Sequence, residues 1–93
     1  MKGKQIKGCV DIINSHSIEE KENKAEEECL ELALAIKHYR QGKVSLQDVI
    51  TEIADVLIMC EQLMMMHECR AAVDKEIDFK IARTLRGEGH GKG

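Results

Sequence analysis

The stretch "KAEEECLELALAI", residues 24–36, carries Glu28 and Glu31 in register with leucines and alanines. Each residue of an α-helix advances roughly 100° around the axis. With Ala25 at the origin, Leu32, Ala35, Ile36 and Tyr39 share an arc about 100° wide; Glu28 lies inside it and Glu31 at its edge. "ITEIADVLIM", residues 50–59, repeats the arrangement. Glu52 projects between Met59 and Leu63, on the side shared with Val49 and Val56, and Asp55 flanks them. Residues three apart are neighbours on a helix surface. Two facing helices with these stripes would gather all four carboxylates. Desolvated charges of one sign carry a penalty of several kcal/mol per ion. Such a cluster needs shared protons or a cation, and an all-oxygen donor set suits a hard ion, Mg²⁺ first and Mn²⁺ second. Seventeen acidic residues in 93 make one such pair commonplace on a solvated face. Two pairs on successive helices, each inside an apolar stripe, single this arrangement out.

Other residue types exclude other metals. No Glu stands three positions before His16, His38, His67 or His90, so the Glu-x-x-His motif of di-iron bundles is missing. His67 shares an apolar stripe with Val49 and Val56 and is expected to be packed or interfacial. Cys9, Cys29, Cys60 and Cys69 occur singly, without C-x-x-C, and read as reduced, buried thiols. Phosphate-binding candidates are Lys80 and Arg83, spaced i, i+3, with Arg86 a turn further on; Lys24 is another. Arginine suits bidentate phosphate contacts.

The elements that must position these groups are helices. The sequence lacks proline, and Tyr39 and Phe79 are its only aromatics, a composition that favours helix over sheet. Ile6, Val10 and Ile13 predict a short first helix ending near 14–16. Ser17 and Glu20 match a capping box that opens a long helix to Arg40, stopped by glycine in "QGK", 41–43. Ser45 and Asp48 open a third helix, from about Leu46 to about His67. Met64, Met65 and Met66 are consecutive and cannot all face one partner helix, so this helix is expected to be covered on more than one side, by association of subunits. A last helix is expected over 74–85, followed by a flexible glycine-rich tail, 87–93. The expected fold is all-α: one domain, 1–86, a small bundle of about four helices completed by dimerisation.

"EEECLE" (Glu27, Glu28, Glu31) followed by "EIAD" (Glu52, Asp55) resembles the E-E-x-x-E…E-x-x-D signature of MazG-type nucleoside triphosphate pyrophosphohydrolases, within the all-α pyrophosphohydrolase superfamily. The following "VLIMCEQL" and the basic "KIARTLR", 80–86, extend the likeness over residues 17–86. The resemblance implies a helical homodimer, sometimes a dimer of dimers, with Mg²⁺ held on the carboxylates. It implies hydrolysis of an NTP or dNTP to the monophosphate and pyrophosphate by attack on the α-phosphorus. Carried over by position, Glu28, Glu31, Glu52 and Asp55 are the metal ligands, and Glu27 supports those ligands from behind or orients or deprotonates the water. Many relatives carry glutamine about a turn and a half before the first motif. Lys21 and Asn23 occupy that neighbourhood here, and with two aromatics available for stacking, low discrimination among bases is expected.

Composition narrows the partners. A net charge of −3 argues against a nucleic-acid binder that relies on bulk positive charge. No apolar run is long enough to span a bilayer and no signal-peptide pattern appears at residues 1–8, so a soluble, cytoplasmic protein is expected. The competing reading is a non-catalytic helical dimer serving interaction or regulation.

Overall fold

The computed structural model describes residues 1–87. Four helices follow one another: α1 (Gly3–Ile13), α2 (Ile18–Arg40), α3 (Leu46–Met66) and α4 (Arg70–Leu85). No strand occurs among the described residues. The protein is a small all-α bundle, as the periodicity and composition imply.

The hairpin of α2 and α3 is the centre of the molecule, with α1 laid against α3 and α4 joined at the far end of α3. Local chemistry sets its ends. The Ser17 hydroxyl accepts the Glu20 backbone N–H at 3.1 Å, and the Ser17 backbone N–H donates to Glu20 Oε1 at 2.9 Å. This reciprocal pair satisfies N–H groups that a helix start otherwise leaves unpaired. At the other end Lys43 N–H donates to the His38 carbonyl (2.9 Å) and Gly42 N–H to that of Tyr39 (3.0 Å). Gly42 at φ +75° makes this Schellman closure without a Cβ penalty. Ser45 and Asp48 repeat the capping box on α3.

α4 starts four residues earlier than expected, at Arg70 rather than Asp74. The reason is a second Schellman closure built without glycine. Glu68 takes φ +50°, while Cys69 N–H donates to the Met64 carbonyl (3.1 Å) and Glu68 N–H to that of Met65 (3.3 Å). The tail expected beyond Gly87 lies outside the described residues.

The packed interior of the protomer is small. Cys9, Ala25, Val49 and Met59 are the hydrophobic residues buried in it, among the described residues. Met64, Met65 and Met66 are all half-buried. The face of α3 left open is instead Leu46, Ile50, Ile53 and Leu57, spaced i, i+4, i+7, i+11, and α2 leaves Leu30 and Leu34 open. Ile36 and Tyr39, placed in the buried arc by the wheel, are exposed where the hairpin turns. Of the four free thiols Cys9 alone is buried; Cys29 and Cys60 sit on the open edges of their helices and are exposed. His67 is exposed too: it caps α3 and pairs with Glu22 at 2.9 Å, tying the start of α2 to the end of α3. No described helix is long and apolar enough to cross a membrane.

Candidate metal centre

Because α2 and α3 lie side by side, their acidic pairs meet. Glu28, Glu31 and Glu52 each offer a carboxylate oxygen, and the three oxygens lie within 4.8 Å of one another. Glu28 is buried, with 5% of its surface exposed, Glu52 is half-buried and Glu31 is at the edge. The wheel placed Glu28 inside the apolar arc and Glu31 at its rim, and the helix pairing keeps that order. Asp55, a turn beyond Glu52, is half-buried beside Glu28 and Glu52 but does not enter the three-oxygen set.

The electrostatics record the crowding. Burial, followed by the charges of Glu31, Glu28 and Asp55, pushes Glu52 above the usual glutamate range. Burial also pushes Asp55 up, reinforced by a hydrogen bond with Glu28 and by its charge; a hydrogen bond with Glu52 and the Lys24 ammonium act the other way. Crowded carboxylates of this kind are eased by a proton on one of them or by a cation among them.

Among the described residues, Lys24 is the cation paired with it. Lys24 Nζ lies 3.6 Å from Glu28 and 3.9 Å from Glu27. Glu27 is exposed, next to the ligand set and outside it. Of the basic residues singled out from sequence, Lys24 is thus brought to the cluster. Lys80 and Arg83 are not: Lys80 pairs with Glu76 at 3.9 Å, and the Arg83 guanidinium lies over the Phe79 ring at 5.7 Å, both on α4 itself. Arg86 caps the end of α4.

The site contains one neighbour that did not stand among the candidates. Lys21 is buried, one turn before Lys24, and lines a polar depression with it. The i, i+3 spacing of two lysines just ahead of Glu28 was the available signal.

The donor set fits a hard divalent ion: all oxygen, carboxylate, from two rigid helices, and short of internal positive charge. Comparison with protein-family models, with curated proteins and with solved structures gives no match for this chain.

Proposed function

We propose that the protein is a Mg²⁺-dependent nucleoside triphosphate pyrophosphohydrolase of MazG type, working as a homodimer. The observation that carries the reading is the meeting of Glu28, Glu31 and Glu52 within 4.8 Å, with Asp55 alongside and one lysine to offset them. The reaction itself comes from the resemblance of "EEECLE" and "EIAD" to the pyrophosphohydrolase signature.

In this reading Glu28, Glu31, Glu52 and Asp55 hold the ion, with Mn²⁺ a substitute for Mg²⁺. A divalent ion supplies neutralisation of phosphate charge and a bound water of lowered pKa. Glu27, exposed beside the cluster, accepts the proton of the attacking water. Lys24 lies between Glu27 and Glu28 and meets the phosphate oxygens. Lys80, Arg83 and Arg86 serve the phosphate chain when subunits associate, since Lys80 and Arg83 are engaged on α4 within the protomer. The open stripes Leu46/Ile50/Ile53/Leu57 and Leu30/Leu34 support association, because a lone protomer would leave them in water.

A non-catalytic helical dimer is the second reading, favoured by the engagement of Lys80 and Arg83 with residues of α4 itself and by the same open stripes. Pyrophosphate release from a panel of NTPs and dNTPs, with Mg²⁺ and with EDTA, separates the two. The hydrolase reading expects release with Mg²⁺ that falls to the EDTA background in Glu52→Gln and Asp55→Asn. No release from any nucleotide by the folded protein overturns it in favour of the interaction module.

A further inference from the structure

Between α1 and α3 runs an apolar groove of about 690 Å³, walled by Gly8, Cys9 and Ile12 on one side and Leu57, Ile58 and Met64 on the other. Arg70, the first residue of α4, also lines it and pairs there with Glu61 at 3.0 Å. Beyond Arg70 no described residue of α4 reaches the groove. That ion pair and the left-handed turn at Glu68 fix where α4 departs, so the helix leaves its own groove open.

The helix is as bare as the groove. None of the 16 residues of α4 is buried. Ile77, Ile81 and Leu85, spaced i, i+4, i+8, form an exposed stripe about 12 Å long. A helix of this length draws most of its stability from packing such a stripe. Gly8 is an independent sign from the other side. It sits inside α1, where glycine is less stable than alanine. A Cβ at Gly8 would meet nothing within 4 Å, so the protomer gives no reason for the glycine. Glycine on a groove wall does allow close approach by another chain.

Area and charge say what covers the groove. The protomer exposes 7051 Å², whereas a folded monomer of 10.5 kDa exposes about 5,400 Å². The surplus of about 1,600 Å² exceeds the roughly 800 Å² that each partner gives to a standard interface. Residues 1–13 carry Lys2, Lys4 and Lys7 against one acid, Asp11, and Lys4 lies one turn before Gly8. Asp74 and Asp78 flank the α4 stripe. The groove therefore suits a helix with an apolar stripe and an acidic flank, and α4 of a second copy has both.

We propose that α4 of a second copy seats in this groove, reciprocally, about a two-fold axis. Ile77, Ile81 and Leu85 are its anchors, Gly8 is the point of closest approach, and Asp74 and Asp78 meet the lysines of α1. Leu57 belongs both to the groove and to the open α3 stripe, so the exchange continues that face. The exchange requires a dimer and does not rest on the hydrolase reading.

Sedimentation equilibrium of the full chain tests it. Gly8→Leu fills the groove where the protomer has room, and Ile81→Asp puts a charge on the exposed stripe. The wild type is expected to be a dimer. Each variant raises the dissociation constant about a hundredfold or more, because the two-fold axis applies the change twice. Helix content by circular dichroism stays the same. An equimolar mixture of the two variants regains part of the association, since either change closes a seat and a mixed pair keeps one seat intact. A wild-type dimer that neither variant weakens, or no recovery on mixing, overturns the exchange and leaves the dimer to the α2 and α3 stripes. A monomeric wild type overturns it too, and Ile81→Asp then lowers the melting temperature only if the chain's own α4 fills the groove.

Discussion

Helix α3 buries acid in two places and treats them differently. Glu61 is 3% exposed, and the Arg70 guanidinium at the start of α4 grips both its oxygens, one at 3.0 Å. Two turns earlier, Glu52 and Asp55 meet Glu28 and Glu31 with Lys24 as the attending cation. The first site is balanced within the chain and asks for nothing more. The second is out of balance: burial first, and then the neighbouring carboxylates, push Glu52 and Asp55 above their usual ranges. Burial of a carboxylate on one helix therefore does not by itself suggest a metal site; the proposed one rests on the lack of an internal counter-charge.

The comparison can be broken in several ways. The largest effect is expected on turnover: Glu52→Gln or Asp55→Asn reduces pyrophosphate release to the EDTA background, whereas replacing both Glu61 and Arg70 by Met leaves it measurable. The next is on folding. Arg70→Met strands the buried Glu61 charge and lowers stability by about 3 kcal/mol in urea denaturation, at the low end because Arg70 is itself half-exposed. The double replacement Glu61→Met/Arg70→Met recovers most of that loss, since a buried pair is often matched by apolar residues of similar size. At the carboxylate cluster the same logic runs in reverse. Glu52→Gln relieves repulsion and raises the melting temperature in EDTA.

If the proposed function holds, Mg²⁺ should distinguish the sites again. Saturation to 100 times the dissociation constant should then stabilise the wild type by about 2.7 kcal/mol. That shift persists in the Glu61/Arg70 double variant and vanishes in Asp55→Asn.

The dependence on pH follows from the raised pKa values. A carboxyl group whose folded pKa lies above its unfolded value binds more protons when folded. Its contribution is greatest below the ordinary carboxylate range and is lost as pH rises through the raised folded values of Glu52 and Asp55. Glu20, with its pKa lowered by the cap, works oppositely and loses its contribution as the solution is acidified. Melts of wild type and Glu52→Gln from acid to neutral pH in EDTA should differ in slope in that window, with the wild type falling more steeply. Mg²⁺ should flatten the difference.

Much of this was legible in the residues because the signals are local. Capping boxes at Ser17 and Ser45 and glycine at 42 set the ends of α2 and α3. Two i, i+3 pairs inside apolar stripes then dictate where the carboxylates meet. The start of α4 was not legible, because Glu68 holds a left-handed conformation that usually advertises itself as glycine. Glu68→Gly should stabilise the protein by about 1 kcal/mol for that reason, the smallest effect expected here. The pairing of Glu61 with Arg70 was hidden in the same turn, since it depends on where α4 begins. Lys21 falls inside the apolar arc of the wheel, four residues before Ala25, but lysine by type reads as a solvated side chain. Cys29 and Cys60 misled in the opposite sense, being exposed at apolar positions, whereas Cys9 is buried as expected.

The most direct measurement is Mn²⁺ binding followed by electron paramagnetic resonance, with Mg²⁺ as competitor, on the wild type, Glu52→Gln and the Glu61/Arg70 double variant. Binding by wild type and double variant, displaced by Mg²⁺ and lost in Glu52→Gln, is the result this account predicts. Free Mn²⁺ unchanged by the wild-type protein, or bound equally by a folded Glu52→Gln, would contradict it.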